Sequence, residues 1–119
     1  MPDLRKQFFS TLLGLARKDK KIVLFTDDLG YSFYEQFQQE LPRQFVNSGI
    51  MEQATTGIVA GLALGGMKPY FYGGAIFVLM RNYEQVREDI AYNNINVKIC
   101  GTKASGFLGM SHNMNPGNE

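Results

Sequence analysis

Cysteine is almost missing from this sequence, and with it any disulfide framework. One residue, Cys100, occurs in 119, a usage that fits a reducing compartment. It sits in the apolar run 97–101 and reads as a small buried residue rather than a nucleophile or metal ligand. Neither sign of charge is in excess: twelve Lys and Arg face eleven Asp and Glu, for a formal charge of +1. Without a basic block, nucleic acid and anionic membrane surfaces have no electrostatic handle. The apolar runs are too short to cross a bilayer, and the opening residues lack a secretory apolar core, so a cytoplasmic location is expected. Neither GxGxxG nor GxxxxGK[ST] occurs, so neither standard phosphate loop is present. No Cys/His cluster suggests zinc, and the sequence holds a single histidine, His112.

What is present is an ordinary apolar share, 45%, enough for a packed core in one small domain. Asp3 can cap a helix carrying Leu4, Phe8, Leu12 and Leu15 at helical spacing. The unbroken apolar run 22–26 reads as a strand buried on both faces, as in parallel sheets. A short helix is expected within 31–40, closed by Leu41-Pro42, then a two-residue strand at Phe45-Val46. Residues 50–64 read as a helix, 69–72 as a strand, Gly73-Gly74 as a turn, 76–92 as a helix and 95–101 as the last strand. This alternation predicts an α/β fold with a parallel sheet sandwiched by helices. Residues 102–119 show no periodicity, and the sequence stops where a further helix would cover the sheet. The domain is therefore expected to be incomplete at its C-terminus.

Several residues are candidates for chemistry. Glu52 lies at the start of the 50–64 helix, where a carboxylate also serves simply to offset the helix dipole. Ser48 and Gly49 are poorly placed to complete a capping box with it. Asp27 and Asp28 follow a buried strand, where α/β proteins place ligands, although Asp is equally at home in turns. His112, in a Gly-rich loop, is either an acid–base group or a solvated side chain. Phe77, Met80 and Tyr83 share one helix face, an arrangement that usually means core packing. Gly57, Gly61 and Gly65 also lie along one face, which predicts close approach of another helix, from a second chain.

The run Phe45-Val46-Asn47-Ser48-Gly49-Ile50-Met51-Glu52-Gln53 resembles the N-x-G-I-x-E-Q/H segment of transketolases and deoxyxylulose-phosphate synthases. Residues 57–69 resemble the helix and strand that follow in that family. Residues 22–29 resemble the strand and Asp-Leu pair that open its pyrimidine-binding domain. Residues 77–87 resemble its cofactor-contacting helix, and Ser111-His112 its Thr-His loop. The ordered set covers nearly the whole sequence, 1–119, as one pyrimidine-binding domain.

The resemblance implies thiamine diphosphate as cofactor. Glu52 would hydrogen-bond N1′ of the aminopyrimidine and drive the proton relay that strips the thiazolium C2. Phe77 would stack on the pyrimidine, with Tyr83 along the same wall. Asp28 would face the thiazolium, Asp27 would remain a turn residue, and His112 would contact the donor substrate. The sequence departs from the pattern at Gln53, where classical transketolases often carry His, at Arg81, one position late relative to Phe77, and at the missing acid before Ser111-His112. The family's Gly-Asp-Gly…Asn motif for diphosphate and Mg²⁺ is absent, so those ligands are expected from a partner chain, and no metal ligand is assigned here.

The resulting expectation is the pyrimidine-domain subunit of a split transketolase, in a homo- or hetero-oligomer with a diphosphate-binding subunit. Together they would move a two-carbon ketol unit between sugar phosphates. A deoxyxylulose-phosphate synthase-like or 2-oxo acid dehydrogenase beta-like subunit is the alternative within the class. A non-catalytic assembly module that keeps the fold is the alternative outside it.

Overall fold

In the computed structural model, residues 3–102 are described; His112 and the rest of 103–119 lie outside them. Four strands, β1 (Ile22–Thr26), β2 (Phe45–Asn47), β3 (Lys68–Gly74) and β4 (Lys98–Thr102), form one sheet in the order β2-β1-β3-β4. Every pair is parallel, with Thr26 opposite Asn47 on one side and opposite Tyr72 on the other. All five residues of β1 are buried, as its unbroken apolar run requires in the middle of a covered sheet.

Helix α1 (Leu4–Ala16) begins at Asp3, whose carboxylate accepts the Arg5 N–H at 3.0 Å. Its buried face is Phe9, Leu12, Leu13 and Ala16, one step around from the spacing read in the sequence. Leu4 and Leu15 are exposed instead. Helix α2 (Glu35–Glu40) is shorter than the 31–40 expectation, because Ser32 adopts a left-handed φ of 70°. Helix α3 (Glu52–Leu64) precedes β3, and a helical stretch over 77–91 precedes β4. That stretch is π-helical at Phe77–Arg81, a single α turn at Tyr83–Gln85, and π-helical again at Val86–Ala91. Gly73 and Gly74 belong to β3 rather than to a turn, because both pair with β4, opposite Gly101 and Thr102.

The two faces of the sheet carry separate cores. On one, Ile22, Leu24 and Tyr72 pack with Phe9, Leu12 and Leu13 of α1 and Phe37 of α2. On the other, Val23, Phe25 and Phe71 pack with Val59 of α3 and Val78 of the 77–91 stretch. This is the expected sandwich. Since β1 is followed by β2 on one side and β3 is added on the other, the chain reverses its direction of travel across the sheet between β1 and β3. In such sheets a crevice opens at the carboxyl ends of the two strands that flank the reversal. Among the described residues no helix is long and apolar enough to cross a membrane.

Candidate active site

The crevice is built from the ends of β1 and β3, the head of α3 and the first turn of the 77–91 stretch. Its most ordered part is the loop from β2 into α3. Asn47 Oδ1 accepts the N–H groups of Gly49 at 3.0 Å and Asp28 at 3.1 Å. Ser48 donates both its N–H and its hydroxyl to the Thr26 carbonyl, each at 2.9 Å. Thr55 then donates to Ser48 Oγ at 2.8 Å. Gly49 sits at a φ of +72°, a region that costs a residue with a Cβ. Asn, Ser and Gly therefore act together to turn the chain sharply and start α3 at a fixed point.

That point is Glu52. It is the first residue of α3 and only 2% exposed. Among the described residues no side chain caps the helix, which excludes a capping box there. The Glu52 Oε2 atom is buried and accepts no hydrogen bond from the described residues; Arg81 Nε approaches it at 3.6 Å from a side chain 56% exposed. An acid that merely offsets a helix dipole is ordinarily solvated, and burying one without a partner costs free energy. The geometry suits an acid waiting for a donor.

Asp27 departs from the turn residue expected from the sequence. It is only 6% exposed, and its Oδ1 has no partner among the described residues. It continues the face of Val23 and Phe25, since side chains two apart in a strand share a face. Its carboxylate lies where a Cβ on Gly73 would be, with Val78 pressing on the same spot. Burial first, and the neighbouring Glu52 second, push its pKa up to about 6.

Asp28 is placed differently. It is exposed at a φ of 63°, accepts Asn47 Nδ2 at 3.0 Å and also accepts the Tyr31 hydroxyl. Tyr31 and then Asn47 hold its carboxyl below the usual carboxylate range, so Asp28 is a fixed negative charge at the crevice rim. Phe77 is half-buried and lies over Gly74, where an added Cβ would meet its Cδ2 at 2.9 Å and Leu29 Cδ2 at 3.9 Å. Tyr83 and Met80 are 64% and 58% exposed, so the face they were expected to bury is open.

A second feature is invisible to a reading of the sequence. Asn82 is fully buried, and its Nδ2 donates to Thr56 Oγ1 at 2.6 Å. Thr56 in turn donates to the Glu52 carbonyl at 2.7 Å. This chain of bonds ties the 77–91 stretch to the first turn of α3 behind Glu52. An amide inside an otherwise apolar helical pattern is the available signal. The π turn of Phe77–Arg81 immediately before it is a geometry that recurs at functional sites.

The glycine face divides. Gly57 packs within the chain, where an added Cβ would lie 3.7 Å from Asp89 Oδ2, whereas Gly61 has open space around it among the described residues. Among the described residues no group of three or more His, Cys, Asp or Glu could hold a metal ion.

A parallel sheet with two buried carboxyls and an aromatic ring at its topological switch is an α/β domain of the kind that places ligands at its strand ends. The family description "Transketolase, pyrimidine binding domain" matches residues 1–113. The chain belongs to the transketolase pyrimidine-binding-domain family. It is 49% identical over 112 residues to one subunit of the apulose-4-phosphate transketolase of Phocaeicola vulgatus, covering 91% of this chain and 36% of that protein. It is 43% identical over 100 residues to 1-deoxy-D-xylulose-5-phosphate synthase of Bacillus cereus, covering 83% and 16% respectively. A solved split gene transketolase, described as an inactive beta4 tetramer, superposes with a TM-score of 0.78 at 36% identity, covering 91% of this chain and 35% of that one. The chain thus spans about a third, or less, of the length of these relatives.

Proposed function

We propose that this chain supplies the pyrimidine-binding half of a thiamine diphosphate site and, with a diphosphate-binding partner chain, transfers a two-carbon ketol unit between sugar phosphates. The observation that carries the proposal is Glu52, a buried acid whose Oε2 accepts no hydrogen bond from the described residues, at the topological switch of the sheet. A ring nitrogen that can share a proton is the partner such an oxygen lacks, so the residues present fit an aminopyrimidine.

When bound, the cofactor supplies the nucleophilic carbon chemistry, and the chain supplies orientation and electrostatics. Glu52 would exchange a proton with the pyrimidine N1′, in a setting where burial favours proton sharing. Phe77, held over Gly74, would present an aromatic surface to the pyrimidine. Asp28, kept ionised by Tyr31 and Asn47, would set a negative charge near the cationic ring. Tyr83, exposed among the described residues, would be covered by the ring or by the partner chain. His112, outside the described residues, would donate a hydrogen bond to the donor substrate. Mg²⁺ and the diphosphate would be held by the partner.

The relatives support a subunit role, since one is named as a transketolase subunit and another as a split gene transketolase. Assembly into a hetero-oligomer, or into a homo-oligomer in the partner's absence, is part of the proposal, with the uncovered α3 face around Gly61 as the contact. A synthase-type reaction is the second reading. It is favoured by the 43% identity to a deoxyxylulose-phosphate synthase and by the presence of an arginine, Arg81, beside Glu52.

The test is reconstitution. The chain is mixed with a partner that carries a Gly-Asp-Gly…Asn domain, thiamine diphosphate and Mg²⁺. Ketose phosphate plus aldose phosphate is assayed beside pyruvate plus aldose phosphate. Turnover of the first pair supports the transketolase reading and turnover of the second the synthase reading. Inactivity with both, despite a stable complex, refutes the enzymatic proposal.

A further inference from the structure

Two acids, not one, are buried at the switch point. Asp27 directly follows β1 and Glu52 opens α3, at 6% and 2% exposure. Each has one buried carboxylate oxygen that accepts no hydrogen bond from the described residues, Asp27 Oδ1 and Glu52 Oε2. The Asp27 Oδ2 atom occupies the space that a Cβ on Gly73 would fill. Two carboxylates confined in one crevice cannot both ionise cheaply.

We propose that Asp27 is a positioning residue for Glu52, a second buried carboxyl at the switch point whose protonation sets the charge that Glu52 faces. This inference rests on the reading of Glu52 as the acid that serves the pyrimidine. Its physical content is that a proton held on Asp27 keeps a negative charge away from Glu52, and that loss of that proton places one beside it. Asp27 thus sets the electrostatic surroundings of Glu52 without touching the cofactor.

The groups that face Asp27 agree with this. From α3 comes Glu52, and from its own loop Asp28, both of which disfavour its charge, while the backbone N–H groups of Asp27 and Gly74 favour it less strongly than burial opposes it. Tyr72 of β3 feels the Asp27 charge but is held neutral mainly by its own burial. Among the described residues the cation beside Glu52 is Arg81, which is paired to it, half exposed, and not among the main groups acting on Asp27.

The test begins on the 119-residue chain without cofactor. Carbon-13 NMR follows the Asp27 carboxyl through a titration in wild type and in Glu52→Gln. In wild type a midpoint of about 6 is expected, and in Glu52→Gln it should move toward the ordinary carboxylate range. An Asp27 midpoint that is the same in both proteins overturns the proposal. The second readout is the pH profile of C2 proton exchange on thiamine diphosphate in the reconstituted complex. Asp27→Asn should flatten the limb that wild type shows in the slightly acidic range, while Asp27→Glu should restore a limb. A profile unchanged by Asp27→Asn overturns the positioning role even if the NMR coupling is present. Failure of the underlying reading is seen separately: full C2 exchange in Glu52→Gln removes the role of Glu52, whatever Asp27 does.

Discussion

Arg81 Nε stands 3.6 Å from Glu52 Oε2, a half-exposed cation beside a buried carboxylate oxygen that accepts no hydrogen bond from the described residues. The separation is too long for a hydrogen bond. An arginine anchored only from the solvent side can leave at little cost, since pairs with one exposed member contribute weakly. Arg81 therefore covers Glu52 without being built into the crevice.

Arg81→Ala should accordingly change folding stability by no more than about 0.5–1 kcal/mol. Urea denaturation measures this. A loss of about 3 kcal/mol or more would mean that Arg81 compensates a charge that cannot otherwise stay buried.

Gly73 is required by what sits above it rather than by its backbone angle. A Cβ there would overlap the Asp27 carboxylate and the Val78 side chain. Gly73→Ala should destabilise the chain by about 1–3 kcal/mol, as overpacking does, and should push Asp27 out of its buried position. The Asp27 carboxyl signal then shifts to the ordinary carboxylate range. A variant with unchanged stability and an unchanged Asp27 titration contradicts this packing.

The order of elements and the parallel sheet are legible in the sequence because β1 is apolar on both faces and helical patterns separate the strands. Element ends are less so. Gly73-Gly74 resembles a turn in one dimension, yet pairing with β4 keeps both in the strand. The Asn47-Ser48-Gly49 loop and the burial of Glu52 agree with the segment's resemblance. The burial of Asp27 is hidden because Asp after a strand is a turn signal in any sequence. Only the third dimension shows that Gly73 leaves a hole that its carboxylate fills. The exposure of Met80 and Tyr83 is hidden for a related reason: the π turn of Phe77–Arg81 shifts the faces that a 3.6-residue period predicts.

The buried Asp27 makes stability depend on pH in a direction opposite to that of a salt-bridged acid. Its pKa rises from 3.8 to about 6 on folding, so between those values the folded chain keeps a proton that the unfolded chain has released. Stability from this group is complete below about pH 4 and falls as pH rises to about 6. Asp27→Asn abolishes the fall. Relative to wild type the variant should gain on the order of 2 kcal/mol between pH 4 and pH 7. Thermal melts at a series of pH values provide the check, and a difference between the two proteins that stays constant with pH excludes a raised Asp27 pKa.

Thr56 both accepts from Asn82 and donates to the Glu52 carbonyl. Thr56→Val keeps the shape, removes both bonds and strands the buried Asn82 amide at that end. A loss of about 1–3 kcal/mol follows from the unsatisfied donor. Restoration of stability in the Thr56→Val, Asn82→Leu double variant would show that the penalty lies in the stranded amide. Non-coupling in that double-mutant cycle would dismiss the link.

Glu52 is where structural and catalytic demands part. If it served only the helix dipole, Glu52→Gln would cost a few tenths of a kcal/mol and spare any activity. Its burial without a partner among the described residues leads to a different expectation. The neutral amide removes a buried charge facing Asp27, so the variant should fold with stability equal to or above wild type. Yet Gln cannot exchange a proton with the pyrimidine N1′. General acid–base steps contribute about 10²- to 10⁴-fold, so C2 proton exchange in the reconstituted complex should slow by about that factor. Hydrogen–deuterium exchange at the cofactor C2 reads the rate, and denaturation of the same protein reads the stability. Slow exchange in a chain as stable as wild type places Glu52 in the chemistry. Exchange within a few-fold of wild type leaves it only a helix-dipole role, and the proposed role falls.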